Sequence, residues 1–469
     1  MKSMLNLADI IVPSQDVAVI DDQDKCYTYA ELDQLCSAVA NGLIDKGLLP
    51  GDPIALLALN TIEFVASYFG ILKMGGIVVL INTKLPQAQI DYIIKDSKTK
   101  LLLTDQAINL DIDTVNFDTL DSFLLHKNIT SYARQNNDPV VIMYTSGSTG
   151  TPKGVITSQA NHKWVIEHKS QDMSQGQSVL VAASCYHMNG LSNMEAALSC
   201  GAKLILLSQY SAHKFITAIQ QHRASFVTGT PTMISMAFNL PGLIENADLD
   251  CVDHLWLGSA PLNLNLLDNI KKYFRNSQVT NSYGMTEVVP KLFGQHPTIK
   301  TPDLSVGYPV AGVKHKLVNG VLHVCSPGVC LGYTNRDLLM QDGFFVTNDC
   351  FTVDSRGFYY YVGRADDMFV SGGNNIYPRE VESAIESHPG VLTSAVVALD
   401  DEIKGTKPYA FVVLRTGYTA TEQELKDTAL RLVPRSHCPR KIWIVRSLPL
   451  NSVNKVDKQK LKEQAYADR

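Results

Sequence analysis

The chain has 469 residues, 45% of them hydrophobic and 19% charged, and 41 Lys+Arg against 46 Asp+Glu leave a formal net charge of -5. That length amounts to about three domain-equivalents and can bury several cores without disulfides. The composition excludes a disordered chain, and the charge argues against a general nucleic-acid binder while leaving room for one local basic pocket. Nine cysteines, at 26, 36, 185, 200, 251, 325, 330, 350 and 438, include no CxxC pair. They suggest neither a zinc site nor a disulfide framework, and fit reduced thiols in a cytoplasmic protein. Met1 to Asn6 is followed by no apolar h-region, so no signal peptide is expected. The apolar stretch Phe64 to Ile81 is broken by Lys73 and Gly75-Gly76 and reads as helix, turn and strand, not as a transmembrane segment.

In chain order, Ile54–Leu59 predicts a strand, Thr61–Lys73 a helix, Ile77–Ile81 a strand, Gln87–Lys95 a helix and Leu101–Thr104 a strand. The pattern recurs at Lys203–Leu207, Phe215–Gln221, Phe226–Thr228 and His254–Leu257. Such alternation predicts an α/β fold with mostly parallel sheets. After about residue 305 the short strands Val313–Val318, Val321–Cys325, Phe344–Val346 and Phe358–Val362 predict a small antiparallel β-unit. From Asp366 onward a compact α+β body is expected. It has helices at Pro378–Ser387 and Thr421–Leu432 and strands at Ser394–Ala398, Tyr409–Leu414 and Ile442–Val445.

The outstanding local feature is Tyr144-Thr145-Ser146-Gly147-Ser148-Thr149-Gly150-Thr151-Pro152-Lys153-Gly154, which follows the apolar run Val140–Met143. Its glycines let backbone N–H groups turn inward, and its hydroxyls and Lys153 add the donors that a polyphosphate requires. It is not a Walker A loop, which needs Gly-Lys-[Ser/Thr]; here Pro152 precedes the lysine and Gly154 follows it.

This string resembles the phosphate loop of the adenylate-forming superfamily, whose members use ATP to convert a carboxylate to an acyl-adenylate, releasing pyrophosphate, and mostly pass the acyl group to a thiol. Further motifs that resemble the family's follow in order. Gly258-Ser259-Ala260-Pro261 matches the segment along the adenine, and in Asn281-Ser282-Tyr283-Gly284-Met285-Thr286-Glu287 the resemblance implies Tyr283 stacked on adenine, Thr286 at the α-phosphate and Glu287 holding Mg²⁺. Thr347-Asn348-Asp349 and Gly363-Arg364 match the ribose ligands, with Tyr361 assigned to the same nucleotide site; Asn348 stands where the family usually has Gly, and Asn tolerates a left-handed backbone. His187, in His187-Met188-Asn189-Gly190, matches the family's His-x-x-Gly at the mouth of the acyl pocket. Asp366 matches the hinge, Gly372 and Gly373 the loop lining the thiol tunnel, and Lys455 the catalytic lysine, while Lys458, Lys460 and Lys462 read as a solvated basic tail. The resemblance begins at Tyr27-Thr28-Tyr29-Ala30-Glu31-Leu32 and implies two bodies. A large domain over 1–365 would combine α/β subdomains with the β-unit; a mobile α+β domain over 366–469 would carry the catalytic lysine.

The resemblance implies an acid–CoA ligase using ATP, Mg²⁺ and coenzyme A, similar to 4-chlorobenzoate–CoA ligase and fatty acid–CoA ligases. A stand-alone enzyme loading a carrier-protein phosphopantetheine is the alternative, and a non-catalytic ligand-binding relative is a third reading that the intact Lys153, Glu287, Asp349 and Lys455 oppose. A homodimer is left open. Met188 stands where amino-acid-activating relatives carry an acidic anchor; with Thr228 to Met233, Gly258 and Val288-Val289 it predicts an apolar pocket for a fatty or aromatic acid.

Overall fold

The computed structural model describes residues 5–118, 128–146, 152–402, 404–450 and 456–468. Two seven-stranded sheets form its larger part. The first runs Gln278–Ser282, His254–Gly258, Phe226–Gly229, Ser178–Val181, Lys203–Leu206, Val17–Ile20 and Cys26–Thr28, parallel except for the last pair. The second runs Gly332–Tyr333, Pro152–Ser158, Pro139–Ser146, Ile77–Leu80, Pro53–Leu57, Leu101–Thr104 and Thr114–Asn116. Its first two junctions are antiparallel and the rest parallel.

The helices Tyr29–Asp45, Ile62–Lys73, Gln159–Lys169 and Met188–Ser199 fill the layer between the sheets, where one continuous core joins residues from both. Helices 212–221, 231–238 and 264–273 cover the far face of the first sheet, and helix 87–96 that of the second. Parallel strands covered on both faces read as unbroken apolar runs, which is why Leu101–Thr104 is buried throughout. The opening motif Thr28-Tyr29-Ala30-Glu31 is a capping box. The Thr28 N–H donates to Glu31 Oε2 at 2.7 Å and the Glu31 N–H to Thr28 Oγ1 at 3.1 Å, starting the first long helix. Lys73, which interrupts the most apolar run, is buried and paired with Asp33 at 2.5 Å. Among the described residues no helix is long and apolar enough to cross a membrane.

The expected β-unit is a five-stranded antiparallel sheet of Lys314–Val318, Val321–Cys325, Met340–Gln341, Phe344–Val353 and Tyr359–Arg364. One detour was not foreseen: Gly332–Tyr333 leaves this unit and pairs with Pro152–Ser158 at the edge of the second sheet. Helix Met188–Ser199, opened by His187, was not foreseen either.

The last segment has its own sheet, in which Phe369–Ser371, Asn374–Ile376, Val391–Asp401, Gly405–Leu414 and Ile442–Val445 are paired. Helices Pro378–Glu386 and Glu422–Leu430 pack on one face. The solvated-tail expectation is corrected here, because residues Lys458–Ala467 form a helix whose Leu461 and Ala465 are buried on the other face. Leu461 and Ala465, four apart, make one apolar stripe beside lysines at every second position, which a count of charges hides. Lys458 also approaches Asp367 at 3.5 Å. Leu461→Ala should lower stability by about 2–5 kcal/mol, read from the urea midpoint; a change under ~0.5 kcal/mol would mean the helix is not packed.

Candidate functional site

The glycine-rich loop joins two antiparallel strands, Pro139–Ser146 and Pro152–Ser158, with Thr145 opposite Lys153 and Ser146 opposite Pro152. Gly147, Ser148, Thr149 and Gly150 lie outside the described residues, as does Lys455. The hairpin setting separates this loop from a Walker A loop, which runs from a strand into a helix. Its base is tied down by Asp96 at the end of helix 87–96, which accepts from Tyr144 Oη at 2.6 Å and from the hydroxyl of Thr334. Gly154 must be glycine, because a Cβ there would lie 2.7 Å from Thr334 Cγ2 and 2.8 Å from Tyr144 Cζ.

Lys153, on the strand that follows the loop, feels charges of both signs. Partial burial and the guanidinium groups of Arg336 and Arg364 hold its pKa below the ordinary lysine value, opposed by the carboxylates of Glu287 and Asp366. The lysine foreseen for phosphate thus converges with the residues foreseen for metal, ribose and hinge. Arg336 and Tyr333 were missed by sequence reasoning. Tyr333 Oη donates to Glu287 Oε1 at 2.9 Å, and the Arg336 guanidinium lies 4.5 Å from the centre of the Tyr333 ring. No motif marks either residue; only the pairing of Gly332–Tyr333 with the second sheet brings them here.

Thr286 and Glu287 form the tip of a tight turn closed by the Val288 N–H donating to the Met285 carbonyl at 3.2 Å. Both are partly exposed, and Gly284 is needed before them because a Cβ would lie 2.3 Å from Pro290 Cβ. Among the described residues no group of three or more His, Cys, Asp or Glu could hold a metal. A single carboxylate would suffice to help hold Mg²⁺, which keeps most of its water and takes few protein ligands.

Gly258 and Ser282 are register partners at the ends of neighbouring parallel strands, and a Cβ on Gly258 would lie 3.2 Å from the Ser282 carbonyl oxygen. The next residue, Ser259, adopts a left-handed backbone, φ 67°. It begins the loop to Ala260 and Pro261, and its Oγ accepts from Asn189 Nδ2 at 3.1 Å. Asn281 Nδ2 donates to the Leu304 carbonyl at 2.9 Å.

Tyr283 Oη donates to Asp349 Oδ2 at 2.5 Å, while Arg364 Nη1 lies 3.8 Å from Oδ1 of the same carboxylate, which is only 6% exposed. Burial, then the Asp349 charge, push the Tyr283 phenol well above its ordinary value, so it stays a donor at working pH. Its ring packs edge-on to Phe351, centroids 4.8 Å apart, with Tyr361 behind it at 6.3 Å. Asn348 has φ 60°, the left-handed turn expected for the residue in the usual glycine's place. Arg364 makes a bidentate pair with Asp366, at 2.8 and 3.0 Å, which holds the Asp366 carboxyl below and the guanidinium above their ordinary values.

His187 is the residue before helix Met188–Ser199, and its ring meets that of Tyr186 at 4.8 Å. The motif's Gly190 is required by packing, since a Cβ would lie 2.5 Å from both the Ala183 and Ser184 carbonyl oxygens. The expected pocket-lining residues Thr228 and Val288 have no exposed surface in this structure. Thr228 Oγ1 donates to the Leu180 carbonyl, and Val288 packs in the core of the β-unit. Met188 is buried as well.

Gly372 and Gly373 form a two-residue hairpin turn between Phe369–Ser371 and Asn374–Ile376, with φ 56° and 83°. Positive φ at both positions is the type I′ requirement. Backbone conformation therefore accounts for these glycines. A Cβ on Gly373 would meet nothing within 4 Å, and one on Gly372 would meet only the Lys404 side chain, at 3.3 Å. The last segment docks on helix Leu264–Tyr273, where Asn265 Nδ2 donates to the Glu386 and His388 carbonyls at 2.6 and 3.1 Å.

Tyr283→Phe should cost about 1.5–3 kcal/mol by removing a hydrogen bond to a buried charge. In a double-mutant cycle with Asp349→Asn the coupling should exceed ~0.5 kcal/mol; additivity would mean the two groups do not depend on each other.

Residues 12–333 match the model of the AMP-binding enzyme family, and 380–455 that of the AMP-binding enzyme C-terminal domain. The chain is 30% identical to 2-succinylbenzoate–CoA ligase of Bacillus licheniformis, over 95% of this chain and 96% of that one. It is 28% identical to the long-chain-fatty-acid–CoA ligase FadD13 of Mycobacterium tuberculosis, over 99% and 98%. The solved o-succinylbenzoate CoA synthetase of Bacillus subtilis, in complex with its acyl-adenylate intermediate, superposes with TM-score 0.86 at 27% identity, covering 98% of each chain. The motifs, the fold and these matches agree from end to end, and the chain belongs to the AMP-binding enzyme family as an adenylate-forming acid–CoA ligase.

Proposed function

We propose that the enzyme activates an aromatic carboxylic acid as its acyl-adenylate and transfers the acyl group to coenzyme A. The observation that carries this reading is that Tyr333, paired with Val155 on the strand after the glycine-rich loop, donates to Glu287 at 2.9 Å and so ties the Thr286-Glu287 turn to that loop. Similarity to 2-succinylbenzoate–CoA ligases favours an aromatic over a fatty acid.

In the first half-reaction a carboxylate oxygen attacks the α-phosphorus of ATP. A P–O bond to the acyl group forms as the bond to pyrophosphate breaks. The substrate acid is ionised at neutral pH, so no base is needed and His187 serves to position the acid. The loop from Thr145 to Lys153 holds the departing pyrophosphate, while Thr286 and Lys455 stabilise charge at the α-phosphate. Magnesium bound beside Glu287 supplies positive charge to the phosphates. Arg364 and Asp349 orient the ribose, and the Tyr283 ring supports the adenine. In the second half-reaction the small domain turns about Asp366 and carries Lys455 away. The thiolate of coenzyme A, guided past Gly372-Gly373, then attacks the acyl carbon, and AMP leaves with its phosphate oxygen. The Arg364–Asp366 pair spans the hinge, so a rotation about Asp366 starts from a defined position.

Lys455→Ala should abolish acid-dependent exchange of pyrophosphate into ATP yet spare thioester formation from supplied acyl-adenylate; equal loss of both would overturn the division of labour. Lys153→Ala should slow adenylate formation by about 10²–10³, as loss of one preorganised donor does, and an unchanged single-turnover rate would remove it from the phosphate site. Free coenzyme A should be acylated in preference to a phosphopantetheinylated carrier protein in a direct comparison of the two acceptors.

A further inference from the structure

The loop that begins at Ser259 is tied to the helix that His187 opens by a line of hydrogen bonds whose direction is set at its buried end. Lys169, the last residue of helix Gln159–Lys169, is buried, and its Nζ donates to Ser192 Oγ and Asn193 Oδ1 at 2.8 Å each. Ser192 gives its own proton to the Met188 carbonyl at 2.6 Å, so it accepts from the lysine. A lysine ammonium has no acceptor. Burial, then Lys291, push Lys169 down to about 7, with Glu195 opposing, and the neutral amine keeps two N–H groups for the same two acceptors. Asn193, 2% exposed, therefore turns its carbonyl oxygen to Lys169 and its amide N–H outward. That N–H donates to Asn189 Oδ1 at 3.0 Å, which leaves the Asn189 amide N–H to donate to Ser259 Oγ at 3.1 Å. Each step is forced by the one before it. Ser259 Oγ accepts from Asn189, and its own proton is kept for an acceptor outside this line.

Ser259 is placed to use that proton. It is exposed and follows Gly258 at the C-terminal end of a parallel strand, beside the end of Gln278–Ser282, which leads to Tyr283. Ligands of open parallel sheets bind at such strand ends. Its left-handed backbone, φ 67°, is costly for a serine, and such strain persists where the surroundings hold it. Asn189 lies two residues after His187, so this is the acyl side of the segment. A serine hydroxyl free to rotate serves as donor or acceptor; this one is restricted to donating. Such a group suits a carboxylate, whose oxygens only accept, better than the exocyclic amine of adenine, which itself donates.

We propose that the Ser259 hydroxyl donates to one oxygen of the substrate carboxylate while the other oxygen attacks phosphorus, and that Asn189, Asn193 and Lys169 are positioning residues that set the direction of this donor. The proposal rests on the ligase reading above and moves Ser259 from the adenine, where the family resemblance put it, to the reacting acid. No proton changes hands: the oxygen that Ser259 holds becomes the carbonyl oxygen of the acyl-adenylate.

Asn189→Asp keeps the size and the contact but removes the N–H, so Ser259 must donate to the new carboxylate and its proton is spent. The readout is acid-dependent exchange of pyrophosphate into ATP with benzoate, 2-succinylbenzoate and octanoate as the acids. Ser259→Ala and Asn189→Asp should each lower kcat/KM for the acid by about 10- to 100-fold, the effect of losing a hydrogen bond to a charged group. Both should leave KM for ATP within about threefold, which a general distortion of the loop would not. Asn189→Ala frees the hydroxyl without spending its proton and should be faster than Asn189→Asp. In Ser259→Ala the further change Asn189→Asp should cost no more than about threefold, whereas repulsion by the added charge would cost the same in either background. Should Asn189→Asp fail to fold, the exposed Ser259 still decides the question through Ser259→Ala. An unchanged kcat/KM for the acid in Ser259→Ala, a raised KM for ATP in place of that loss, or additive losses in the double variant would overturn the inference and leave the ligase reading standing. A wild-type protein that neither exchanges pyrophosphate nor acylates a thiol with any of the three acids would overturn both.

Discussion

The part of the site proposed to take the nucleotide depends on one nearly buried carboxylate. Asp349 is 6% exposed, and an isolated carboxylate in that position would carry a heavy desolvation cost. Its two oxygens meet Tyr283 Oη and the Arg364 guanidinium, which come from different parts of the fold. Tyr283 ends the segment after the first sheet's edge strand, and Asp349 and Arg364 face each other across a pair of strands in the β-unit. Satisfying the one charge thus brings the end of a parallel sheet and an antiparallel sheet into register. Because Arg364 also grips Asp366, the same interaction reaches the start of the last segment.

The phosphate side has a matching device. The base of the glycine-rich loop is held by Asp96, which accepts hydrogen bonds from the hydroxyls of Tyr144 and Thr334. Thr334 is there because Gly332–Tyr333 pairs back onto the second sheet. That excursion also delivers Tyr333 to Glu287 and Arg336 to the neighbourhood of Lys153. Separate elements of a rigid scaffold thereby fix the positions of donors that act together, the condition for electrostatic preorganisation.

Asn265 meets the Glu386 and His388 carbonyls, Asn263 meets the Glu386 carboxylate at 3.2 Å, and Cys350 lies 3.8 Å from Tyr377 Oη; among the described residues no apolar core cluster joins the last segment to the larger body. Polar interfaces of this kind are what movable domains use. The small body has its own sheet, covered by helices on both faces.

Local chemistry was legible in the sequence. The strand–helix alternation, the antiparallel unit after residue 305, and the strand Ile442–Val445 all follow from periodicity that acts over a few residues. Asn348 in the left-handed region follows from its side chain and the motif around it. Lys153, Glu287, Asp349 and Arg364 could be picked out because each belongs to a short contiguous motif, although only Glu287 lies in a turn and the other three lie in strands. Tyr333, Arg336 and Asp96 were not. None of these has a local signature, and each gains its meaning from a residue tens to hundreds of positions away. The docked helix Lys458–Ala467 looked like a solvated run because its two buried residues are outnumbered by lysines. The sequence by itself determined which donors and acceptors the chain carries and the turns that present them. Only the tertiary structure decided which of them share a site, because burial and pairing of charge are properties of distant segments brought together.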